Sequence, residues 1–105
     1  MSDYSVLRKW VEGKVLTSNF DCGRYATDAS IYQIMPRAVL VPKTWADVEA
    51  ALDFAKTEGI ALLPRGGGTS QSGQTVNDAL VVDFTRHLDQ LLDYDAEAGR
   101  IRVQP

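Results

Sequence analysis

The segment from Pro64 to Gln74 holds the residues best suited to binding a ligand. Three consecutive glycines at 66–68 follow Arg65 and precede a run of small hydroxyl and amide side chains. Glycine has no Cβ, so backbone N–H groups can come close to an anion, at an entropic cost of about 0.5–1 kcal/mol per residue relative to Ala. We predict that residues 65–74, called the glycine loop below, bind an anionic group through their backbone.

Two apolar runs and a helix between them predict where the glycine loop lies. Residues 37–41, which are apolar after Arg37, and residues 60–63 are bounded by proline or glycine, which is typical of buried strands. Between them, Thr44 and Asp47 have the spacing of a capping box, and Gly59 stands where a C-cap glycine is expected. This β-α-β pattern predicts parallel strands, with the loop at the carboxyl edge where α/β sheets bind ligands.

The N-terminal third gives weaker signals. Apolar spacings of three and four predict a short amphipathic helix over residues 3–14, ending at Gly13. Residues 15–35 show no sustained period and predict mostly loop, with a helical turn near residues 30–34. We therefore divide the chain into an N-terminal helical and loop extension, residues 1–35, and a domain over residues 36–105.

The C-terminal third predicts a strand and a hairpin. Residues 78–84 have the composition of a third buried strand. Residues 91–94 and 100–103 flank a turn at Gly99, which predicts an antiparallel hairpin. The predicted fold class is α/β (α+β): a small β-α-β unit with an N-terminal helix and a C-terminal β-hairpin. The central helix is expected to bury one face, formed by Trp45, Val48, Leu52 and Ala55.

Composition limits the partners and the compartment. The 105 residues allow one small domain, and the net charge of -3 comes from 14 acidic and 11 basic residues scattered along the chain. No basic stripe indicates nucleic acid or an anionic membrane as a partner. The single cysteine, Cys22, excludes an intramolecular disulfide, and the first ten residues resemble neither a signal peptide nor a membrane span. A cytoplasmic protein is expected.

Two common phosphate-binding signatures do not fit the glycine loop. The dinucleotide fingerprint G-x-G-x-x-G has Gln71 at its last position. The P-loop pattern G-x-x-x-x-G-K-[ST] fits residues 68–75 except that Gln74 replaces the lysine, so the charge that neutralises the phosphates is missing. A strand also follows where a P-loop needs a helix. A P-loop phosphohydrolase is therefore the weakest of the interpretations.

Four separated stretches carry a further signal: RYATDASIY at 24–32, PRAVLVP at 36–42, GIALLPRGGGTS at 59–70 with Gly73-Gln74, and LVVDFTR at 80–86. Together they resemble one flavin family, the FAD-linked oxidases with a vanillyl-alcohol-oxidase-type (PCMH-type) FAD-binding domain. Their order and spacing are more specific than a glycine triplet alone. Within the family, the sequence is similar to the D-lactate, glycolate and D-2-hydroxyglutarate dehydrogenase branch, and residues 27–32 resemble members with an additional iron–sulfur domain.

The resemblance implies FAD as the cofactor. In this family the loop matching residues 65–70 wraps the FAD diphosphate, and the segment around Gly73 continues toward the flavin ring. Members with covalent flavin have a histidine at the position of Thr69, so non-covalent FAD is implied. The implied cofactor-binding residues are Arg65, Gly66, Gly67, Gly68, Thr69, Ser70, Gly73 and Gln74.

The resemblance also implies an incomplete enzyme. Residues 36–105 match the first half of the family's FAD domain, and the family oxidises 2-hydroxy acids by hydride transfer to flavin with a separate substrate domain. The expected partners are FAD and the remainder of the flavoenzyme or a completing partner chain, and peripheral membrane association of the whole enzyme stays open. No catalytic residue is assigned, since His87 is expected in a solvated turn and Cys22 to be an ordinary thiol.

Several side chains keep two interpretations. Arg65 is either a solvated surface charge or a residue that contacts the diphosphate or orders the loop, and Thr69 and Ser70 either bind phosphate or cap local backbone. Asp83 is expected to pair with Arg86 or to cap the next turn in preference to touching flavin. For the whole chain, the alternative is a non-catalytic interaction module that pairs with a partner to complete its fold, since a β-α-β unit leaves sheet edges uncovered.

Overall fold

A computed structural model describes residues 2–105, and every structural statement below concerns those residues. Two sheets and three helices are present in them. The elements in chain order are a 3₁₀ helix Tyr4–Lys9, β1 Lys14–Leu16, α1 Asn19–Gly23, β2 Ala38–Val41, α2 Trp45–Glu58, β3 Leu62–Arg65, β4 Leu80–Asp83, β5 Leu91–Asp95 and β6 Arg100–Val103.

The larger sheet has four strands in the order β1-β2-β4-β3. β2 and β3 both pair with β4 in parallel, and β1 pairs antiparallel with β2. The predicted α/β class is confirmed, and β2 and β3 are parallel as expected, although β4 lies between them. β3 is an edge strand, which is why it accommodates Pro64, whose nitrogen cannot donate a ladder hydrogen bond.

The sheet is covered on both faces because its central strands are apolar at every position except Asp83, the last residue of β4. All four residues of β2 and of β4 are buried. On one face, Leu40, Leu80 and Val82 pack with α2 and the 3₁₀ helix, and on the other Val39 and Val81 pack with partly buried side chains that include Tyr25. The second face is therefore covered by the chain between β1 and β2, and this brings Tyr25 beside the sheet.

The ends of α2 follow the sequence signals. Thr44 Oγ1 accepts a hydrogen bond from the Asp47 amide at 3.2 Å, and Gly59 forms the C-cap with φ of 63°.

The prediction of the buried face of α2 is correct for two of its four residues. Val48, Ala51 and Ala55 are buried, whereas Trp45 and Leu52 are each 53% exposed. The helix rests on the sheet through its small residues.

Asp47 joins the N-terminal segment to the start of α2. Its carboxylate accepts hydrogen bonds from the backbone amides of Glu12, Gly13 and Lys43, each at 2.9 Å, and its side chain is 2% exposed. Burial disfavours the charged form, but these amide hydrogen bonds outweigh it and lower the pKa of Asp47. A Cβ on Gly13 would collide with the Val41 carbonyl oxygen, so the two segments are in close contact.

The prediction for the N-terminal third is wrong in three respects. The first helix is a 3₁₀ helix that ends at Lys9, well before Gly13. The stretch predicted as loop contains β1 and α1, whose N-cap Ser18 accepts from the Asp21 amide. No helical turn forms near residues 30–34; instead a bridge between Thr27 and Gln33 closes a short loop.

The predicted hairpin is confirmed. β5 and β6 pair antiparallel, with Tyr94 opposite Ile101 and Asp95 opposite Arg100, and the register shifts between Leu91 and Asp93. All residues of both strands are exposed, including several large apolar side chains. The hairpin forms a second sheet of its own.

Candidate functional site

The glycine loop leaves the sheet at the end of β3. Arg65, the last residue of that strand, pairs in register with Asp83, the last residue of β4, and the Phe84 amide donates to the Arg65 carbonyl oxygen at 3.1 Å. Both strands point their carboxyl ends to this edge because they run parallel. The predicted position of the loop, at the carboxyl edge of a parallel sheet, is confirmed.

The Arg65 guanidinium holds the loop to the N-terminal segment. Nη1 donates to the carbonyl oxygens of Tyr25 at 3.3 Å and Thr75 at 2.9 Å, and Nη2 donates to that of Thr27 at 2.9 Å. The guanidinium carbon also lies 5.3 Å from the centroid of the Tyr25 ring, within the range of a cation–π contact. Both terminal nitrogens are thus engaged with protein groups, which favours the loop-ordering role for Arg65.

Two of the loop glycines are required by backbone conformation and by close contact. Gly68 has φ of 69° and Gly73 has φ of 73°, a region that L residues with a Cβ rarely adopt. A Cβ on Gly68 would lie 2.5 Å from Arg65 Nη2, and one on Gly73 would lie 2.6 Å from Tyr32 Cδ2. A Cβ on Gly66, in contrast, would meet no protein atom within 4 Å. That side of the loop is open.

The loop presents a run of free backbone donors. Within the described chain, no hydrogen bond uses the amides of residues 66–70, whereas the amides of Ser72 and Gln74 donate to Ser70 Oγ at 3.2 and 3.3 Å. Ser70 Oγ in turn donates to Gln74 Oε1 at 3.1 Å. The second half of the loop therefore stabilises itself, and the first half leaves five consecutive N–H groups for another acceptor.

Asp28 is a second connection between the N-terminal segment and the loop. Its Oδ2 accepts from the Thr75 hydroxyl at 2.9 Å and the Thr75 amide at 3.4 Å, and its Oδ1 accepts from the Ser30 amide at 2.8 Å. Hydrogen bonds from Ser30 and Thr75 lower the pKa of Asp28 to about 2. The carboxylate is therefore charged at neutral pH and fixes the exit of the loop.

Tyr25 and Asp83 complete the arrangement. The Tyr25 hydroxyl donates to Asp83 Oδ2 at 2.7 Å, and the Thr85 amide and hydroxyl donate to Asp83 Oδ1 at 2.8 and 2.6 Å. Burial raises the pKa of Tyr25 to about 12, with the Asp83 hydrogen bond and charge adding to it. Burial alone would raise the pKa of Asp83, but the Thr85 and Tyr25 hydrogen bonds outweigh it and the pKa is lowered.

These contacts settle the local roles expected for three side chains. Asp83 caps the following turn, as predicted, and within the described chain it forms no ion pair with Arg86. His87 is exposed in the turn after β4. Cys22 is 3% exposed, and burial, together with Asp21, raises the pKa of its thiol, which gives it the low reactivity expected.

Sequence reasoning did not identify the residues that shape the loop from outside it. These are Tyr25, Thr27, Asp28 and Tyr32, all in the stretch RYATDASIY that carried part of the family resemblance. The stretch has no periodicity, and its contacts span roughly forty residues of sequence. Its family resemblance was the one signal that pointed to it.

Comparison with known proteins assigns the class. The sequence profile of the FAD binding domain family matches residues 36–105, which is more than half of the chain. The chain therefore belongs to the FAD binding domain family. This confirms the resemblance found in the sequence and FAD as the cofactor of the domain.

The curated relatives include two bacterial proteins named D-2-hydroxyglutarate dehydrogenase. The one from Haemophilus influenzae is 38% identical over 96 residues, and the one from Escherichia coli K12 is 39% identical over 95 residues. These alignments cover 89% and 88% of this chain but 9% of each relative. The relatives lie in the predicted dehydrogenase branch, and the chain spans about a tenth of their length.

Solved flavoenzyme structures share the fold. A carbohydrate oxidase from Microdochium nivale superimposes with a TM-score of 0.76 at 22% identity, covering 96% of this chain and 22% of that one. The BBE-like 1 protein of Physcomitrella patens gives a TM-score of 0.72 at 22% identity, covering 92% and 22%. At this identity the comparison supports the fold alone, and it agrees with the predicted class.

The residues present fit the diphosphate of FAD. The free amides of residues 66–70 supply a donor set suited to an anion, and glycine at 66 leaves them accessible.

Over residues 2–105, no group of three or more His, Cys, Asp and Glu side chains is placed to hold a metal ion. No helix in the same residues has the length and apolar character needed to cross a membrane.

Proposed function

We propose that this chain forms the first half of the FAD-binding domain of a flavin-dependent oxidoreductase that acts on a 2-hydroxy acid. The observation that supports it is the run of five free amides at residues 66–70, in a chain that belongs to the FAD binding domain family. The substrate class rests on the relatives named D-2-hydroxyglutarate dehydrogenase. Bound FAD supplies the acceptor for a hydride taken from the substrate.

In this proposal the glycine loop holds the FAD diphosphate without a covalent bond. The amides of Gly66, Gly67, Gly68, Thr69 and Ser70 donate to the diphosphate oxygens, and the two hydroxyls supplement them. Residues 65–74 contain neither histidine nor cysteine, which supports non-covalent binding. Backbone amides offset the negative charge without a lysine, so the glutamine at the P-loop lysine position is no obstacle.

The other implied site residues serve the shape of the loop. Arg65 orders the loop through its three carbonyl acceptors, and Gly73 allows the chain to pass over Tyr32. Gln74 Oε1 accepts a hydrogen bond from the Ser70 hydroxyl, and the backbone amide of Gln74 donates one to Ser70 Oγ. These residues act on FAD through the conformation of residues 66–70.

The remainder of the flavoenzyme supplies further FAD contacts, the substrate site and catalysis. This follows from the small share of the relatives that the chain covers, 9% of each. We further propose that residues 36–105 are the first half of the FAD domain and that residues 1–35 are an extension packed on it. The single cysteine supports a reducing compartment, the cytoplasm.

A matched pair of glycine variants tests the role of the loop. Gly66→Ala and Gly23→Ala each add a methyl group that meets no protein atom within 4 Å, and neither glycine has positive φ. Neither variant should unfold at a lower urea concentration than the parent chain, since Gly→Ala at an unstrained position stabilises by up to about 1 kcal/mol. In Gly66→Ala alone, FAD affinity measured by flavin fluorescence should fall at least about tenfold, a loss of about 1.4 kcal/mol.

Two results would contradict the proposal. If Gly66→Ala binds FAD as tightly as Gly23→Ala, the amides of the loop do not face the diphosphate. If neither this chain nor a longer chain continuing past Pro105 retains flavin absorbance through desalting, the chain does not serve FAD binding. That result would favour the alternative that the chain is a non-catalytic interaction module. Sedimentation of the chain, alone and with the remainder of the protein, tests whether it pairs with a partner.

A further inference from the structure

A second polar site lies at the same edge of the sheet as the glycine loop. A cavity of about 520 Å³ opens there, and four basic side chains belong to its lining. They come from distant parts of the sequence, and the strand ends bring them together. They are Lys14, Arg24, Lys43 and Arg86.

The sheet topology explains this convergence. Lys14 begins β1 and pairs with Val41, the last residue of β2, because β1 runs antiparallel to β2. Lys43 follows β2, and Arg86 follows β4, whose carboxyl end lies next to that of β2. The first residue of one strand and the loops after two others therefore surround one cavity at the carboxyl edge, the place where open α/β sheets bind ligands.

The cavity is strongly positive in a chain that is negative overall. The four bases are offset by one acid in the lining, Asp21, so the lining carries four minus one, or +3, whereas the whole chain carries -3. Asp21 forms an ion pair with Arg24 at 3.1 Å. Among the described residues, the side chains of Lys14, Lys43 and Arg86 have no hydrogen-bond acceptor and no ion pair. Three cations thus face the cavity uncompensated.

The walls of the cavity strengthen the attraction for an anion. Val41 is 5% exposed and Leu16 is partly buried, and both line the cavity with the ring of Tyr25. A cleft with low-dielectric walls and charges of one sign concentrates counter-ions. Arg86 can bind two oxygens of one anion with its planar fork, and each lysine adds a point charge.

We propose that this cavity binds a small oxyanion with two negative charges, a phosphate or a dicarboxylate. The cavity adjoins the glycine loop through Tyr25, whose ring lies under the Arg65 guanidinium, but none of residues 65–74 belongs to the cavity lining. The site is therefore distinct from the one proposed for the FAD diphosphate. It does not depend on that proposal.

An NMR titration of the chain tests the site with two probes, inorganic phosphate and malonate, against chloride at equal ionic strength. His87 also lines the cavity, so we expect saturable shifts of the Lys14, Lys43 and His87 side-chain resonances with at least one of the two dianions. The tighter probe identifies the group that the cavity prefers. The double variant Lys43→Gln/Arg86→Gln should lower that affinity at least about tenfold.

The control variant removes the same charge elsewhere. Lys56 and Arg100 are exposed and do not line the cavity, so Lys56→Gln/Arg100→Gln should keep the affinity within about twofold. Equal shifts with chloride, or equal losses in both double variants, would overturn the site, since the cations would then act only as screened surface charge. Phosphate that moves only the amides of residues 66–70 would also overturn it and would leave the flavin proposal intact. If FAD does not bind but the dianion still shifts the cavity resonances, the flavin proposal is overturned and the cavity site stands.

Discussion

Replacement of Arg65 by lysine tests how the glycine loop acquires its shape. The guanidinium donates to three carbonyl oxygens, those of Tyr25, Thr27 and Thr75, at 3.3, 2.9 and 2.9 Å. Lysine keeps the positive charge, but its single ammonium lacks the planar fork that reaches acceptors on two separate segments. We expect Arg65→Lys to lose two of the three hydrogen bonds.

The expected magnitude follows from that count. A hydrogen bond from a charged donor contributes about 1.5 kcal/mol at the lower end of its range, which applies here because the carbonyl groups are only partly buried. Two lost bonds lower the free energy of unfolding by about 3 kcal/mol. If the loop must be ordered before FAD binds, the same loss weakens FAD binding by up to about 100-fold, since each 1.4 kcal/mol is a factor of ten.

Urea unfolding and FAD titration of the same samples give the two quantities. Arg37→Lys is the matched control, because the Arg37 guanidinium is exposed and binds the surface acid Asp78 at 2.9 and 3.1 Å. This substitution should cost less than about 1 kcal/mol without affecting FAD. Weaker FAD binding in Arg65→Lys at unchanged stability would refute the reasoning, since Arg65 would then contact the diphosphate directly. Unchanged values of both quantities would refute it too.

Three further results are expected. Gly68→Ala and Gly99→Ala each force a side chain into positive φ, at 69° and 63°, at a cost of about 1–2 kcal/mol in urea unfolding; only Gly68→Ala should also lose FAD affinity, because only its Cβ meets Arg65. Asp47→Ala should lower the free energy of unfolding by about 3 kcal/mol by leaving three amides without an acceptor, against less than about 0.5 kcal/mol for the exposed Asp53→Ala. Because folding lowers the pKa of Asp47, its stabilisation is present above the unfolded pKa near 3.9 and is lost as the pH falls through the folded pKa; the urea midpoint of the parent chain should therefore drop below about pH 4, and less steeply in Asp47→Ala.

The sequence predicted the elements that depend on local signals. The caps of α2, at Thr44 and Gly59, and the apolar runs of β2 and β4 all lie where the patterns indicated. β1 was missed because three residues are too few to show a period, and its strand conformation comes from pairing with β2. The exposure of Leu52 was missed for a related reason: small Ala residues of the helix approach the sheet, a choice made by packing.

In the candidate site, too, local sequence signals predict some features and tertiary contacts determine the others. The glycine loop and its place at the sheet edge follow from adjacent residues. The contacts that shape it do not, because Arg65 reaches carbonyl groups 38 and 40 positions earlier and Asp28 reaches forward 47 positions. The basic cavity was equally hidden, since its cations are scattered along the chain and converge only through the strand order.

The connections between Tyr25, Asp28 and the glycine loop also set an order of events in folding. Contacts between residues far apart in sequence carry a large loop-closure entropy and form late. The sheet order adds to this, because β3 is joined to the larger sheet only through β4, which follows it in the chain. The glycine loop should therefore be among the last parts to take its final form, so that, if it binds FAD as proposed, flavin binding in a refolding experiment reports completion of the whole unit. A chain shortened to residues 36–105 would keep every glycine of the loop and lose the segment that gives the loop its shape.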